Sequence, residues 1–414
     1  MSLQSRSPAL LPALAALLLA GCSPSSGQVR IEPTVIQVQL SGDPGTADAP
    51  LPFSSAPATW QIEVQTLDKN GDPYAFTGDL SLRVRPGSLD QGQWITVADG
   101  HWQGDVSFHS AFGPTRIWVS DEGDKNADSG RAASYATGVA DEIVYALPTI
   151  SEMQTIADHE TNQLAGEFAE LRIADRQVVV SEVGTAGFWV TDLADPPGSY
   201  NNLFVYSFSK PDGLAAGDRL SVLNGGTQEY LATTQINFPY YETVAGETLP
   251  VPDPIEIPPT SACSNDLMEA LESSRVVARD LTIPADFTEG SIDYDDYLAY
   301  GQWPVDFQAG GCRIYVDNTG ADDGFYPPDH AGEALSEVQG VLTEVWGKWI
   351  VGVAGGQGGV GGLETNELRP GGPHATGLGF PIARPRPGAS SPLSSPLSAP
   401  LSAPLQPRTG AVAP

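Results

Sequence analysis

Residues 176–193 read RQVVVSEVGTAGFWVTDL, and residues 201–236 read NNLFVYSFSKPDGLAAGDRLSVLNGGTQEYLATTQI. Apolar runs rich in Val, Phe, Tyr and Trp alternate here with Gly and polar turn residues, which predicts four or five β-strands. The pair Gly217-Asp218 predicts a turn before the strand that begins at Arg219. This region is therefore expected to be β structure, and the rest of the chain can be compared with it.

The strand pattern resembles the OB-fold modules that are appended to bacterial extracellular nucleases. The matching residues are Gly187-Phe188-Trp189-Val190, Phe204-Val205-Tyr206, Gly217-Asp218, Glu229-Tyr230 and Thr234-Gln235-Ile236. The resemblance implies a small β-barrel over residues 149–246. The nucleases carry their chemistry in a separate domain, for which we find no counterpart in this sequence.

A second copy of the pattern follows at an offset of 115 residues. Residues 220–229 (LSVLNGGTQE) align with residues 335–344 (LSEVQGVLTE), and RVVARDL from Arg275 is similar to RQVVVSEV from Arg176. Internal repetition explains this spacing and predicts a second OB-like barrel over residues 262–352, after a Pro-rich linker at 247–261. The segment FTEGSIDYDDYLAYGQWPVDF, residues 287–307, is expected to be an insertion that folds as a loop or short helix over this barrel.

Residues 29–148 alternate apolar and polar side chains, as in Trp60-Gln61-Ile62-Glu63-Val64-Gln65. Turn clusters recur about every 8–12 residues, a spacing that predicts a β-sandwich. The stretch LDKNGDPYAFTGDLSLRVRPG, residues 67–87, resembles bacterial immunoglobulin-like domains. Within it, Asn70-Gly71 predicts a hairpin turn. The expected fold class is thus all-β, with an Ig-like sandwich, two OB-like barrels and a disordered C-terminal tail.

The N-terminus carries Arg6, an apolar stretch at residues 9–20 and then Leu19-Ala20-Gly21-Cys22. This arrangement resembles the lipobox of bacterial lipoproteins, and it implies a signal peptide at 1–21, lipid attachment at Cys22 and a short anchor linker at 22–28. An ordinary secretory signal with an incidental Cys is the alternative. Ser23 is not the Asp that usually retains such proteins in the inner membrane. We therefore expect a lipid-anchored protein of the outer membrane, on its periplasmic or surface face.

If Cys22 is lipidated, Cys263 and Cys312 are the two cysteines left in the mature chain. An even pair in an exported protein predicts a disulfide. Metal ligation is the alternative, which the sequence supports less because neither residue belongs to a C-x-x-C pair or has a His within four positions.

Charge and composition exclude several functional classes. The 414 residues include 20 Lys+Arg and 51 Asp+Glu, giving a formal net charge of −31, which disfavours a surface that neutralises phosphates. Hydrophobic residues at 41% fit a chain with a packed core rather than a polytopic membrane protein. Beyond residue 352, Gly-rich and Pro/Ser/Ala-rich sequence predicts a flexible tail over 353–414.

No catalytic motif is present, and we expect no enzyme activity and no cofactor. The five His are scattered, and His101 and His109 are the one pair that could share a strand face. A third hypothesis is a hydrolase that uses paired carboxylates such as Asp295 and Asp317, but no known sequence motif supports it. Weak calcium binding at Asp124, Asn126 and Asp128 is the remaining metal hypothesis, although the EF-hand Gly and Glu are out of place. A hydrated acidic surface is the default reading of these clusters.

The candidate ligand-stacking residues are Phe204, Tyr206 and Phe208, which alternate along one predicted strand face. OB folds use such rows to stack bases or sugars. The first barrel has four basic residues against 13 acidic ones, so an uncharged glycan or a protein partner is favoured over nucleic acid. The expected function is a non-catalytic binding or scaffold module at the envelope. The alternative is an accessory nucleic-acid-binding protein related to the nuclease modules.

Overall fold

The computed structural model describes residues 33–125, 131–155, 162, 164, 166–318, 325–353 and 359–361. It confirms the all-β prediction, with 48% strand, 9% helix, several sheets and two closed five-stranded barrels. The predicted signal peptide, Cys22, and the predicted tail apart from residues 353 and 359–361 lie outside the described residues.

Nine strands form a β-sandwich at the N-terminal end of the described chain. They are β1 (Val35–Ser41), β2 (Ala58–Leu67), β3 (Gly78–Arg85), β4 (Ser88–Leu89), β5 (Trp94–Val97), β6 (His101–His109), β7 (Gly113–Ser120), β8 (Thr137–Val139) and β9 (Ile143–Tyr145). One sheet has the order β1-β2-β6-β4 and the other the order β5-β3-β7-β8, with β9 also paired to β7. Apolar side chains that alternate along the strands point between the two sheets and form a shared core. Each of the following is at most 1% exposed: Ile62 and Val64 of the first sheet, and Leu80 and Leu82 of the second.

The predicted hairpin turn at Asn70-Gly71 is confirmed as a local one: Pro73 pairs antiparallel with Leu67, and Gly71 has φ of 87°. It does not join two long strands of one sheet, because β2 and β3 belong to different sheets. The carboxylate of Asp68 accepts the backbone N–H groups of Asn70 (2.7 Å) and Asp72 (3.0 Å). These hydrogen bonds lower the pKa of Asp68 and fold the segment as a local turn between the sheets. The Asn-Gly signal located a turn but did not specify which strands it connects.

The first barrel follows the sandwich. Its elements are α1 (Ile150–Thr155), β10 (Phe168–Glu170), β11 (Val178–Val183), β12 (Gly187–Asp192), β13 (Asn202–Tyr206), β14 (Asp218–Tyr230) and β15 (Thr233–Thr248). The sheet order is β10-β14-β11-β12-β13-β15, and pairing of β14 with β15 closes the barrel. β13 and β15 are parallel, whereas the other pairs are antiparallel. If β11 to β15 are counted as strands 1 to 5, the closed order is 1-2-3-5-4, an OB-like barrel.

The second barrel has the same strand order. Its elements are β16 (Ile255–Glu256), α2 (Asn265–Glu269), β17 (Arg275–Thr282), α3 (Ile292–Tyr300), β18 (Gln302–Phe307), β19 (Ile314–Asp317), β20 (Ala334–Val345), β21 (Lys348–Gly352) and β22 (Gly359–Gly361). The order is β16-β17-β18-β19-β21-β20-β22, β17 pairs with β20, and β19 is parallel to β21. Its core surrounds Trp303, whose side chain is fully buried and whose Nε1 donates to Asn318 Oδ1 at 3.0 Å.

The offset of 115 residues appears in the structure as two equivalent hairpins. β14 and β15 are joined by Leu231-Ala232, with φ of 56° and 69°, and β20 and β21 by Trp346-Gly347, with φ of 53° and 75°. Two central residues with positive φ match the right-handed twist of the flanking strands, and this turn type suits a two-residue loop. The repeat offset of 115 residues thus relates the same tight turn in the two barrels.

The predicted insertion contains both a helix and a barrel strand. Ser291 caps α3 by accepting the N–H of Tyr294 at 3.2 Å, and Gly301 ends the helix with φ of 75°. The last six residues of the predicted insertion are β18, the second strand of the barrel. Their apolar alternation is that of a barrel strand, so the inserted part ends at Gly301.

The disulfide between Cys263 and Cys312 is confirmed. Cys263 ends a 3-10 helix at Ser261–Cys263, and Cys312 lies in the turn between β18 and β19. The bond therefore ties the entry segment of the second barrel to that turn.

Residues 359–361 of the predicted tail form β22, which pairs antiparallel with residues 337–339 of β20. Backbone hydrogen bonds suffice for such pairing, so the Gly-rich composition that predicted flexibility does not prevent it. Among the described residues, no helix has the length and apolar character needed to span a membrane.

Candidate functional site: an aromatic row on the first barrel

Aromatic side chains cover the outer face of the first barrel at β12 and β13. Phe188 and Val190 of β12 and Leu203 and Val205 of β13 are fully buried in the barrel core. Alternation therefore places Trp189, Phe204 and Tyr206 on the outer face, as the sequence predicted for the last two. The two strands pair Trp189 with Phe204.

Five aromatic rings contact one another in sequence across this face: Trp189, Phe204, Tyr206, Phe208 and Phe238. We call this set the aromatic row. Successive ring centroids are 4.9, 6.2, 4.4 and 4.7 Å apart, and every pair is tilted rather than stacked flat. Three of these four separations lie within 4.5–7 Å, the favourable range for aromatic pairs, and the Tyr206–Phe208 separation of 4.4 Å is just below it. The rings therefore support one another as a continuous surface.

The aromatic row is buried at its Trp189–Phe204 end and exposed at its Phe208–Phe238 end. Trp189 is 8% exposed and Phe204 1%, whereas Phe208 is 51% and Phe238 69% exposed. Of the three predicted stacking residues, Tyr206 and Phe208 reach solvent and Phe204 lies beneath them as support. Gly187 makes room for that buried ring, because a Cβ at this position would lie 3.0 Å from Phe204 and 2.2 Å from the carbonyl of Val205.

The two exposed phenylalanines both have left-handed backbone conformations, with φ of 64° at Phe208 and 48° at Phe238. Positive φ is a genuine outlier for a bulky residue, and such strain is found preferentially at ligand-binding sites. Phe238 is turned outward next to a bulge, since the β14–β15 register shifts between Asn224 and Gly226. A Cβ on the intervening Gly225 would lie 2.4 Å from Ile236, so glycine is required there.

Sequence reasoning missed Phe238 because it lies 30 positions beyond Phe208 and joins the row through the parallel β13–β15 pairing. The Gly225-Gly226 pair was the signal that could have indicated a bulge opposite this residue.

Side-chain amides line the face next to the rings. Gln235 and Asn237 of β15 lie beside Phe204 and Tyr206 in the parallel register, and Gln228 of β14 follows. Gln228 Oε1 accepts from Asn237 Nδ2 at 2.7 Å and from Gln235 Nε2 at 3.2 Å. The rings and amides themselves contain no carboxylate, amine or guanidinium, and the neighbouring Glu182, which lies opposite Trp189 in the β11–β12 register, is only 6% exposed. This face can therefore offer stacking and neutral hydrogen bonds.

Three of the four basic residues of the first barrel already have acidic partners. Arg176 binds Asp192 and Asp195, Arg219 binds Glu247 at 2.6 Å, and Arg172 lies 3.8 Å from Asp175. Ion pairs of this kind leave those guanidinium groups less available to a phosphate backbone.

A second concave surface lies on the sandwich, where a groove of about 870 Å³ is lined by residues including Arg83, Trp118, Asp121 and Tyr135. Its charges are paired: Arg83 binds Glu122 at 2.6 Å and Asp121 binds Arg131 at 2.7 Å. Burial would raise the pKa of Asp121, but hydrogen bonds from Arg131 and Ser134 lower it. The groove therefore presents no net charge of either sign from these pairs.

The calcium hypothesis has one member within the described residues. Asp124 Oδ1 accepts from Arg131 Nε at 2.7 Å and from the N–H of Asp79 at 3.3 Å, while Asn126 and Asp128 lie outside the described residues. Among the residues that the structure describes, no group of three or more His, Cys, Asp or Glu could hold a metal ion.

The other candidate chemical groups occupy separate places. His101 pairs with Glu63 and His109 with Asp90, at opposite ends of β6. Asp295 is exposed on α3, and Asp317 ends β19. The carboxylates next to Asp295 in sequence bind cations instead: Asp293 binds Arg313 at 2.9 Å and Asp296 binds Lys348 at 2.6 Å. Within the described ranges, none of these residues belongs to a group of three or more His, Cys, Asp or Glu that could hold a metal ion.

Comparison with known proteins gives little further information. No protein-family model and no curated protein matches the sequence significantly. Among solved structures, the adhesin InvE of Yersinia pseudotuberculosis is similar to 52% of this chain at 12% identity, with a TM-score of 0.21. The match spans 60% of that adhesin chain, and at this TM-score it carries no argument about the present protein.

Proposed function

We propose that this protein is a non-catalytic envelope protein that binds an uncharged glycan through the aromatic row of its first barrel. The observation that carries the proposal is the exposure of Phe208 and Phe238 at the end of a supported row of rings, both with left-handed backbone. Neither side chain belongs to the hydrophobic core of the barrel. A ligand that stacks on them gives their strained conformation a purpose.

The chemistry of the face favours a neutral, hydroxyl-rich ligand. Trp189, Phe204 and Tyr206 lie on strands 2 and 3 of an OB-like barrel, a face that binds oligonucleotides or oligosaccharides in this fold. Phe208, just after strand 3, and Phe238, on strand 5, extend this face. The amides of Gln228, Gln235 and Asn237 supply donors and acceptors without charge. Single-stranded DNA would also stack, but it needs a positive groove along its backbone. The ion-paired arginines and the net charge of −31 argue against that ligand.

Lipidation at Cys22 and location at the outer membrane belong to the same proposal, with the lipid-modified N-terminus as the contact with the membrane. They rest on the lipobox-like sequence at residues 19–22. Two or more acyl chains give stable anchoring where one is marginal. Such an anchor would keep the glycan-binding barrel at the surface of the membrane.

The test is a binding screen of the full-length chain against neutral oligosaccharides, followed by calorimetry on the best ligand. The Phe238→Ala variant is expected to weaken binding about tenfold or more, because an exposed stacking ring contributes roughly 1–3 kcal/mol. Tyr135→Ala is the matched control, since Tyr135 is 79% exposed, has φ of 60° and lies on the sandwich.

The proposal fails if no oligosaccharide binds, or if Phe238→Ala and Tyr135→Ala bind equally well. Saturable binding of single-stranded DNA that disappears at moderate salt would instead support the accessory nucleic-acid-binding function.

A further inference from the structure

Four glutamates meet where the two barrels are in contact. They come from four elements or their ends: Glu229 from β14, Glu269 from α2, Glu272 from the turn after α2, and Glu344 from β20. Glu272 is 1% exposed and Glu344 3% exposed. We call this set the glutamate cluster.

The cluster lies among the hydrogen bonds that join the barrels. Thr233 Oγ1 donates to the carbonyl of Glu344 at 2.8 Å, and the N–H of Thr234 donates to Glu272 Oε2 at 3.3 Å. Farther along the interface, Asn202 Nδ2 donates to Ser274 Oγ at 2.7 Å. The tip of the β14–β15 hairpin in the first barrel is thus held directly against Glu272 and Glu344 of the second.

The bonding of Glu272 is incomplete for a carboxylate. Its Oε1 atom is buried and has no hydrogen-bond partner, so a single backbone N–H at 3.3 Å supports the whole group. A buried charge with so little compensation is strongly unfavourable, and such a group neutralises by holding a proton.

The electrostatic surroundings act in the same direction. Burial raises the pKa of Glu272 well above its ordinary value, and the negative charges of Glu229, Glu269 and Glu344 raise it further. The hydrogen bond from Thr234 opposes these effects but does not overcome them. The charged groups that act on Glu272 from β14, α2 and β20 are all glutamates.

We propose that the glutamate cluster is a proton-dependent latch between the two barrels, closed while Glu272 holds a proton and loosened when that proton is released to solvent. The latch concerns how the barrels are held together and is independent of the ligand bound by the aromatic row. It would make the interface sensitive to the acidity of the compartment.

The sign of the pH dependence follows from linkage. The closed interface binds the Glu272 proton more tightly than the opened or unfolded chain does, so its full stability is present below the ordinary Glu pKa of 4.5. That stability falls as pH rises through the raised pKa of the closed form. Each unit of pKa difference between closed and open forms corresponds to about a tenfold change in the opening equilibrium.

The experiment is hydrogen exchange of the full-length chain from pH 5 to pH 9, corrected for intrinsic exchange and followed at the hairpin tip, residues 228–236. We expect the wild type to lose about tenfold or more of its protection across this range. Glu272→Gln keeps the shape and the acceptor for Thr234 but carries no charge, so its protection should be independent of pH. Glu289→Gln is the control, since Glu289 is exposed elsewhere on the second barrel, and it should behave as the wild type does.

Two further measurements keep the proposal open to refutation if Glu272→Gln folds poorly. Glu229→Gln removes one repulsive charge, which lowers the pKa of Glu272 in the closed form, so this variant should lose less protection between pH 5 and pH 9 than the wild type does. Calcium chloride added at pH 8 should leave the wild-type protection unchanged. A pH-independent wild type, a Glu272→Gln variant with wild-type pH dependence, a Glu229→Gln variant that loses as much protection as the wild type, or restoration of protection by calcium would each overturn the proton latch.

Discussion

Replacing both Phe208 and Phe238 by Ala is expected to weaken binding of the neutral oligosaccharide about 100-fold. These are the two most exposed rings of the aromatic row, and each is expected to contribute roughly 1–3 kcal/mol by stacking. Their centroids are 4.7 Å apart, so either ring alone offers the ligand an incomplete surface. We therefore expect the two single substitutions to be non-additive, with a measurable coupling energy.

Calorimetric titration of the wild type, both single variants and the double variant measures this coupling. Tyr135→Ala combined with Trp346→Ala is the matched control, because both are exposed aromatics with positive φ outside the row. The free energy of unfolding of the double Phe variant should change by less than about 1 kcal/mol, since neither side chain is buried. Wild-type affinity in that variant would contradict the role assigned to the row.

Loss of the disulfide is the second large effect that we expect. Replacing Cys263 and Cys312 by Ser should lower the free energy of unfolding of the second barrel by about 4 kcal/mol, from the loop-entropy estimate for a separation of 49 residues. The bond ties the 3-10 helix at Ser261–Cys263 to the β18–β19 turn. The backbone is closely packed beside it, because a Cβ on Gly311 would lie 2.4 Å from the carbonyl of Pro259.

Urea unfolding with and without a thiol reductant checks this prediction. The reduced wild type and the double Ser variant should share a lower midpoint, while Cys22→Ser alone should leave the midpoint unchanged. A second-barrel transition that is insensitive to both reductant and substitution would contradict the stabilising role of the bond.

The second barrel could be predicted because the strand pattern of the first is repeated. The alignment of residues 220–229 with 335–344 corresponds to β14 and β20, and the same two-residue turn follows each strand. One copy of this pattern is compatible with many β-folds, but two copies at a fixed offset indicate two domains of the same fold. The fold class followed from this repetition together with alternation in the sandwich.

Long-range pairing was not accessible from the sequence. Phe238 joins the aromatic row through the parallel pairing of β13 with β15, which no local pattern encodes. Asn70-Gly71 marked a turn correctly, but it could not show that the chain crosses there from one sheet to the other. The glutamate cluster was hidden for the same reason, because Glu229 and Glu344 are far apart in sequence and meet when the barrels pack.

The strand inside the predicted insertion was missed because it lies outside the aligned repeats. The alignment covered residues 275–281 and 335–344, so residues 302–307 were assigned to the insertion between them. The structure pairs this segment with β19 from Gln302 to Val305. Its pairing with β19 and its alternation of apolar side chains together identify it as a barrel strand.

The most direct measurement is fluorine NMR of the full-length chain labelled with 4-fluorophenylalanine at its 13 Phe positions. Spectra of Phe208→Leu and Phe238→Leu assign the two resonances of interest. We predict that these two resonances shift saturably with a neutral oligosaccharide and that moderate salt does not weaken the effect. Resonances that stay fixed with every oligosaccharide, or that shift with single-stranded DNA alone, would contradict the proposed glycan-binding face.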